Sequence, residues 1–244
     1  MSDKDFNKSY NQDVITQEED KQSKLSLFQR IMKLFTDPVE VMNDISLKPK
    51  ILVPILLILI IFTLMNVLKI DFLKELMLEQ FKVQMEGNPN VSQLSESIIM
   101  NYVYFALIMA SIGPLLAIFS KGLISHGIVQ LFEGKGKIKT SISVVAFSYF
   151  IVVFGEVVRT IITLLTKNYM VMTSPAAIMS NEKMGTPLYI LLSSLDVFTI
   201  WYLIVSMIGI SIVHKISKGK AAVAVFAPWI LLTVFNVAMA VIRG

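Results

Sequence analysis

The chain has 244 residues, of which 55% are hydrophobic and 16% are charged, with a net charge of +4 and no cysteine. A soluble domain carries charges on about a quarter of its residues, so this composition indicates an integral membrane protein. The lack of cysteine excludes disulfides, thiolate metal sites and cysteine nucleophiles. The small net charge gives no indication of nucleic-acid binding, and the preference for lysine over arginine, 19 to 3, suggests an AT-rich bacterial genome.

Residues 1–24 are polar and charged, and such a segment buries too little apolar surface to offset the entropy of ordering. We therefore expect a disordered cytoplasmic tail. Residues 25–47 change character, because apolar side chains recur at helical spacing with Gln29, Arg30 and Lys33 on the opposite face. That pattern predicts a cytoplasmic amphipathic helix lying in the membrane interface.

A second short helix should begin at Asp37 and end near Ile45. Asp37 is the expected N-cap, Pro38 would occupy the first helical position, and Glu40 would close a capping box. This amphipathic region next to a flexible tail is our candidate docking element for a partner protein or the membrane. The docking residues predicted from its exposed faces are Phe28, Ile31, Met32, Phe35, Asp37 and Glu40.

Five long apolar segments follow, each with roughly the 20 residues that an α-helix needs to cross about 30 Å of hydrocarbon. They cover residues 51–68, 98–120, 141–166, 188–213 and 221–242. The predicted fold class is an all-α integral membrane bundle of five transmembrane helices, occupying residues 48–244, preceded by the cytoplasmic interfacial helix. Residues 69–97 form the longest connection, in which an amphipathic helix should end at Gly87-Asn88-Pro89-Asn90.

Lysine and arginine are distributed unequally between the two sides of this five-helix arrangement. Eleven lie on the side of the N-terminus and six on the other, so the positive-inside rule predicts a cytoplasmic N-terminus and an external C-terminus in the plasma membrane. The turn Gly134-Lys135-Gly136-Lys137 falls on the cytoplasmic side. It is not a phosphate-binding loop, because Leu131 and Ile138 occupy the positions where a Walker A motif requires glycine and Ser or Thr.

Three stretches of the chain resemble the Yip1 family of five-span membrane proteins. They are LFQRIMKLFTDPVEVMNDISLKPKILVPILL, FEGKGKIKTSISVVAFSYF and LDVFTIWYLIVSMIGISIVHKISKGKAAVAVFAPW. The resemblance implies a non-enzymatic protein that acts through other membrane proteins or lipids. For bacterial relatives it also implies an accessory subunit of an ABC-type exporter. The eukaryotic members' action on Rab GTPases is not carried over, since the short N-terminal tail offers no basis for it.

Ionisable residues inside the predicted spans are the first place to look for chemistry, because an unpaired charge in lipid is costly. Glu156 and Arg159 share one face of the third span, and Asp196 should lie at the same depth in the fourth. Three asparagines complete the predicted intramembrane polar cluster: Asn66, Asn101 and Asn236. The cluster is either a proton or solute site of a small channel or transporter, or a structural clamp. We favour the clamp, because two acids and one arginine nearly neutralise one another.

His126 and His214 lie toward the cytoplasmic side without carboxylates nearby in sequence, so no metal site is expected. The chain also lacks the Ser-His-Asp, H-E-x-x-H and glycine-rich dinucleotide patterns. We therefore expect neither an enzyme nor a cofactor.

Overall fold

The computed structural model describes residues 25–85, 96–169, 171–180 and 183–243. These residues form α-helices and one short 3₁₀ turn without any strand, which confirms the predicted all-helical fold class. The expected tail at residues 1–24 and the expected helix breaker at residues 87–90 lie outside the described residues. The helices are α1 Leu27–Lys33, α2 Pro38–Leu47, α3 Leu52–Leu68, α4 Ile70–Met85, α5 Glu96–Gln130, α6 Ile138–Ser148, α7 Phe150–Thr166, α8 Pro187–Ser194, α9 Val197–His214 and α10 Lys218–Arg243.

Within the described residues, four helical stretches are long and apolar enough to cross a membrane: α5, the continuous α6–α7 pair, α9 and α10. The remaining predicted span, residues 51–68, corresponds to α3. This helix has 17 residues, or about 25 Å, and it is joined to α4 through a bend of 59° at Lys69. The structure therefore has four spans by length and composition, or five if the bent α3–α4 pair counts as one.

The predicted fourth span, residues 188–213, is not one continuous helix. The chain leaves the helical conformation at Leu195 and Asp196, which separate α8 from α9. The side chain of Asp196 accepts a hydrogen bond from the backbone N–H of Thr199 at 2.9 Å and so acts as the N-cap of α9. Aspartate is a strong N-cap and a poor interior residue. The expectation that Asp196 lies within a helix is therefore wrong.

The α6–α7 span forms the centre of the bundle. In its most apolar stretch of 18 residues, 72% of the residues are buried, against 22% in α5 and 11% in α10. The helices α5 and α10 are therefore peripheral and have large exposed apolar faces. In α6 every residue from Thr140 to Ser148 is buried. Ser143 in this helix accepts from the N–H of Lys50 at 3.1 Å and donates to the Lys50 carbonyl at 2.8 Å, which fixes the start of α3 against α6.

The N-terminal helices belong to this core instead of lying beside it. Val41, Met42 and Ile45 of α2 are completely buried, and α2 packs against α9 and α6. Met42 approaches α9 at Gly209, where an added Cβ would come within 2.6 Å of the Met42 sulfur. The end of the bundle where α2 and the turns at 131–137 and 215–217 meet is called the N-terminal end below, and the opposite end is called the far end.

Arg30 was expected on the polar face of an interfacial helix, and this expectation is wrong. Its side chain is 0% exposed, and Nε donates to Oδ2 of Asp44 at 2.7 Å. Both terminal guanidinium nitrogens donate to the carbonyl of Lys48 at 3.1 Å, and the guanidinium carbon lies 5.3 Å from the centre of the Phe147 ring. Arg30 thus links α1, the end of α2 and the central α6.

The predicted start of α2 is confirmed in part. Asp37 is the N-cap, accepting from the N–H of Glu40 at 3.0 Å, and Pro38 is the first helical residue. The capping box is wrong, because the Asp37 N–H donates to the Lys33 carbonyl at 2.7 Å. The Glu40 carboxylate pairs instead with the ammonium of Lys33 at 2.5 Å. α2 also runs to Leu47, two residues beyond the predicted end.

Replacement of Arg30 by methionine should strongly destabilise the protein, because it removes the buried cation that contacts the Asp44 carboxylate and the Lys48 carbonyl. The expected loss is on the order of 3–5 kcal/mol of unfolding free energy. Thermal unfolding of the purified protein in detergent measures it. The matched control is Lys33→Met, which breaks a half-exposed ion pair and should cost at most about 1 kcal/mol. Equal melting temperatures for the two variants would contradict the assigned role of Arg30.

Candidate functional site

A cluster of four charged side chains lies at the far end of the bundle. The Lys69 ammonium contacts Oε1 of Glu156 at 2.5 Å. Arg159 contacts Oε2 of Glu156 at 3.3 Å and Oδ2 of Asp196 at 3.2 Å. Arg159 also donates to the hydroxyl of Thr173 at 2.9 Å, and this hydroxyl donates to Asp196. We call Lys69, Glu156, Arg159, Thr173 and Asp196 the far-end ion cluster.

The members of the cluster lie either on the central span or at places where the backbone changes direction. Glu156 and Arg159 lie one turn apart on α7, Lys69 follows α3 at its bend, and Asp196 caps α9. The carbonyl of Thr173 accepts from the N–H of Val197 at 3.2 Å, which holds the loop after α7 against the start of α9. The cluster therefore joins three breaks in the bundle to its centre.

The far-end ion cluster is electrically balanced. Two cations face two carboxylates, and the four charged side chains are only 12–21% exposed. Burial and the nearby Glu156 carboxylate raise the pKa of Tyr169, so this neighbouring phenol keeps its proton at neutral pH. Lys69 supplies the second cation, which was not among the residues predicted for the cluster. This arrangement favours the structural clamp over a proton site.

The three asparagines do not join the cluster. Asn66 is half-buried, and its side-chain nitrogen has no hydrogen-bond partner among the described residues. Asn101 and Asn236 are exposed. Asn236 lines a separate hollow of about 790 Å³ between α8 and the end of α10, together with Thr186 and Arg243. Helical depth placed these residues at one level, but it gave no information on which way each helix faces.

Arg159→Met should destabilise the protein, because two mostly buried carboxylates lose a shared cation. The expected loss is on the order of 2 kcal/mol, reduced from a fully buried pair by the remaining exposure. The control is Lys167→Met, which removes an exposed lysine at the end of the same helix. Melting temperatures in detergent compare the two, and an Arg159→Met variant as stable as the control would contradict the clamp.

At the N-terminal end, the turn Gly134-Lys135-Gly136-Lys137 wraps around the last residue of α9. The N–H of Lys135 donates to the carbonyl of His214 at 3.1 Å, and the N–H of Gly136 donates to its Nδ1 at 3.2 Å. A Cβ at Gly136 would lie 2.7 Å from the Val213 carbonyl oxygen, and a Cβ at Gly134 would lie 2.9 Å from His214 Nδ1. The glycines are thus needed for close approach to α9.

His214 continues this contact into a buried hydrogen-bond network. The residue is 0% exposed, its Nε2 lies 2.7 Å from Ser141 Oγ, and this oxygen lies 3.1 Å from His126 Nδ1. A backbone N–H can only donate, so His214 accepts at Nδ1 and carries its proton on Nε2. Ser141 then accepts from His214, and the same hydroxyl forms a hydrogen bond with His126.

The partners of both histidines were not predicted from the sequence, because Ser141 and His214 are 73 positions apart. No group of three metal-binding side chains occurs in the described parts of the chain. The network therefore joins α5, α6 and α9 through polar side chains alone. The side chains of Lys135 and Lys137 are not part of it and are exposed.

Gly136→Ala should lower the melting temperature, since its methyl group would force the turn away from His214 and break two hydrogen bonds. The loss should be on the order of 1–3 kcal/mol. Gly219→Ala is the matched control, because nothing lies within 4 Å of a Cβ at that helical position. That change should leave stability unchanged or raise it slightly. Equal effects of the two substitutions would refute the proposed turn contact.

The six predicted docking residues fall into different environments. Phe28 and Met32 lie one turn apart on α1 and are 72% and 54% exposed, whereas Ile31 is half-buried. Phe35 packs edge-on against the rings of Phe154 and Trp201 at 5.4 and 5.3 Å. Asp37 and Glu40 serve the local contacts described above. Phe28 and Met32 form an exposed apolar pair on α1, called the Phe28–Met32 patch below.

Comparison with known proteins identifies a family for most of the chain. A family model described as the Yip1 domain matches residues 32–239, from within α1 to near the end of α10. No curated protein and no solved structure matches the chain. The matched region includes α2 and the whole bundle, in agreement with the packing of α2 in the core.

Proposed function

Because the chain belongs to the Yip1 family of membrane proteins, we propose that it is a non-enzymatic integral membrane protein that acts by binding other membrane proteins or lipids. The observation that carries this proposal is the balance of the far-end ion cluster. Lys69, Glu156, Arg159 and Asp196 neutralise one another, so the most polar part of the bundle interior is occupied with holding helices together. The surfaces are then the parts available for function.

The exposed surfaces agree with a binding role. α10 and α5 leave most of their apolar faces uncovered, and such faces suit either lipid or the helices of a partner. The Phe28–Met32 patch offers a second surface at the N-terminal end. It stands on a rigid base, because Arg30 and Leu34 of the same segment are completely buried.

The partner class follows from the family resemblance. For bacterial relatives the resemblance implies an accessory role beside ABC-type exporters, and we propose the membrane subunit of such an exporter as the partner. The excess of lysine at the N-terminal end supports a cytoplasmic position for this end in the plasma membrane. The Phe28–Met32 patch would then meet the partner at the cytoplasmic surface.

A small channel or transporter is the second candidate, and the partial exposure of the far-end ion cluster is the observation in its favour. Transport of protons would need polar groups leading from the cluster to the N-terminal end. Glu156 and Ser141 are 15 residues apart on the α6–α7 span, or roughly 22 Å. Most buried side chains between them are apolar, such as Val144, Phe147 and Ile151, and the polar groups on this stretch of the span are those of Ser143, Ser148 and Tyr149. We therefore prefer the binding role.

The docking proposal predicts that Phe28→Ser/Met32→Ser reduces partner binding without unfolding the bundle. Tagged wild-type and variant proteins would be purified from native membranes in mild detergent, and co-purified proteins would be quantified by mass spectrometry. We expect the recovery of an exporter subunit to fall about tenfold or more, as for interface residues whose truncation costs 2 kcal/mol or more. Leu131→Ser, which changes a residue 79% exposed on the turn after α5, should leave recovery unchanged.

Two results would contradict this prediction. One is equal recovery of the exporter subunit with the wild type and the patch variant, provided that both have the same melting temperature. The other is purification of the wild-type protein from the membrane without any stoichiometric partner. The first would move the docking surface away from α1, and the second would remove the accessory role.

A further inference from the structure

A cavity of about 500 Å³ lies between α5, α6, α9 and α10. Its inner wall is made of buried residues such as Val145, Leu203 and Val225, whereas Ile124 and Leu232 at its other side are exposed. Because α5 and α10 are the peripheral helices, the opening faces the surface that the bundle presents to lipid. The cavity is thus a lateral, largely apolar recess within the membrane-spanning part of the protein.

One cation lines this recess. The Lys121 ammonium lies 4.8 Å from the centre of the Tyr202 ring and 5.7 Å from that of Tyr149. Lys121 is nine residues from the end of α5 at Gln130, or roughly 13 Å along the helix. It is therefore well inside the span and far from the lysine-rich turns.

Lys121 differs from the other cations buried in the bundle. Arg30, Lys69 and Arg159 each contact a carboxylate, whereas no carboxylate among the described residues forms an ion pair with Lys121. Cation–π contacts contribute about 2 kcal/mol when desolvated. They supply no counter-charge, and a lysine in a membrane span is costly without one.

A second polar group in the recess is the hydroxyl of Ser206, whose contact with the neighbouring Tyr202 phenol is not a well-formed hydrogen bond. The hydroxyl of Ser206 lines the cavity, its residue is 1% exposed, and Oγ has no hydrogen bond of normal geometry among the described residues. A buried hydroxyl without a hydrogen bond destabilises the folded state. An anionic oxygen between Lys121 and Ser206 would satisfy both groups.

We propose that this recess binds a single-chain amphiphile with an anionic head group, such as a long-chain fatty-acid anion. The head group pairs with Lys121 and accepts from Ser206, and the acyl chain lies along the apolar wall toward the opening at Ile124 and Leu232. A small hydrophilic anion would leave the apolar wall uncovered. The recess is distinct from the Phe28–Met32 patch, so a failure to bind fatty acid would not affect the proposed partner binding.

The two tryptophans make the proposal directly testable, because Trp229 lines the recess and Trp201 packs against Phe35 instead. In a Trp201→Phe background, Trp229 is the remaining fluorophore of this type. Bromine quenches tryptophan fluorescence at contact distance. The probe is dibrominated stearate, titrated into the protein in phosphatidylcholine nanodiscs at a pH where the acid is ionised. Its methyl ester serves as the uncharged control.

We expect saturable quenching by the acid at concentrations about tenfold or more below those needed for the ester, the difference made by one charge pair of roughly 1.4 kcal/mol or more. Lys121→Met should abolish this preference for the acid, and Lys139→Met, which removes an exposed lysine, should retain it. Equal quenching by the acid and the ester in the Trp201→Phe protein with Lys121 intact would overturn the proposal. Retention of the preference in a folded Lys121→Met variant would do the same.

A further variant keeps the test decisive if Lys121→Met fails to fold. Ser120 is exposed at the opening of the recess, so Ser120→Phe narrows the opening without replacing a buried side chain. Quenching of Trp229 by the acid should then require a concentration about tenfold higher or more, because the enlarged side chain obstructs the acyl chain. If the acid quenches Trp229 equally well in the proteins with and without the Ser120→Phe substitution, the assignment of this recess as the binding site would be overturned.

Discussion

Arg30 brings a positive charge into the N-terminal end of the bundle, where the Asp44 carboxylate, the Lys48 carbonyl and the Phe147 ring surround it. A buried cation is costly without a counter-charge and satisfied donors, so this contact favours the joint assembly of α1, α2 and α6. The positions of Met42 against Gly209 and of Phe35 against Trp201 follow from the same assembly. The N-terminal helices are therefore packed into the same core as the spans.

The same requirement organises the far end. Lys69 and Asp196 lie at two breaks in the helices, and each gains a charged contact to the central span, through Glu156 and Arg159 respectively. The His214–Ser141–His126 network joins α5, α6 and α9 at the N-terminal end, and apolar packing holds the bundle between the two ends. Polar groups thus serve mainly to fix helix positions. Among the described residues, Lys121 is a cation inside the bundle whose contacts are not explained in this way.

Sequence patterns predicted the elements that depend on local composition. Apolar runs indicated the spans, Asp37-Pro38 indicated the start of α2, and the glycines of the 131–137 turn indicated a tight connection. Residues whose role depends on a distant partner were misjudged. Arg30 fitted a polar helical face until its partner Asp44 was located, and Asp196 lay in an apolar run that gave no sign of a break. The pairing of His214 with Ser141 depends on how α5, α6 and α9 pack, which no periodicity encodes.

Proton flux across liposomes that contain the purified protein tests most directly whether the internal charges serve structure or transport. With a pH gradient imposed and a trapped pH-sensitive dye, we expect vesicles that contain the wild type or Asp196→Asn to leak protons no faster than protein-free vesicles. A faster flux in the wild type that Asp196→Asn alters would contradict it. The far-end ion cluster would then be part of a proton pathway, and the binding role would lose its main support.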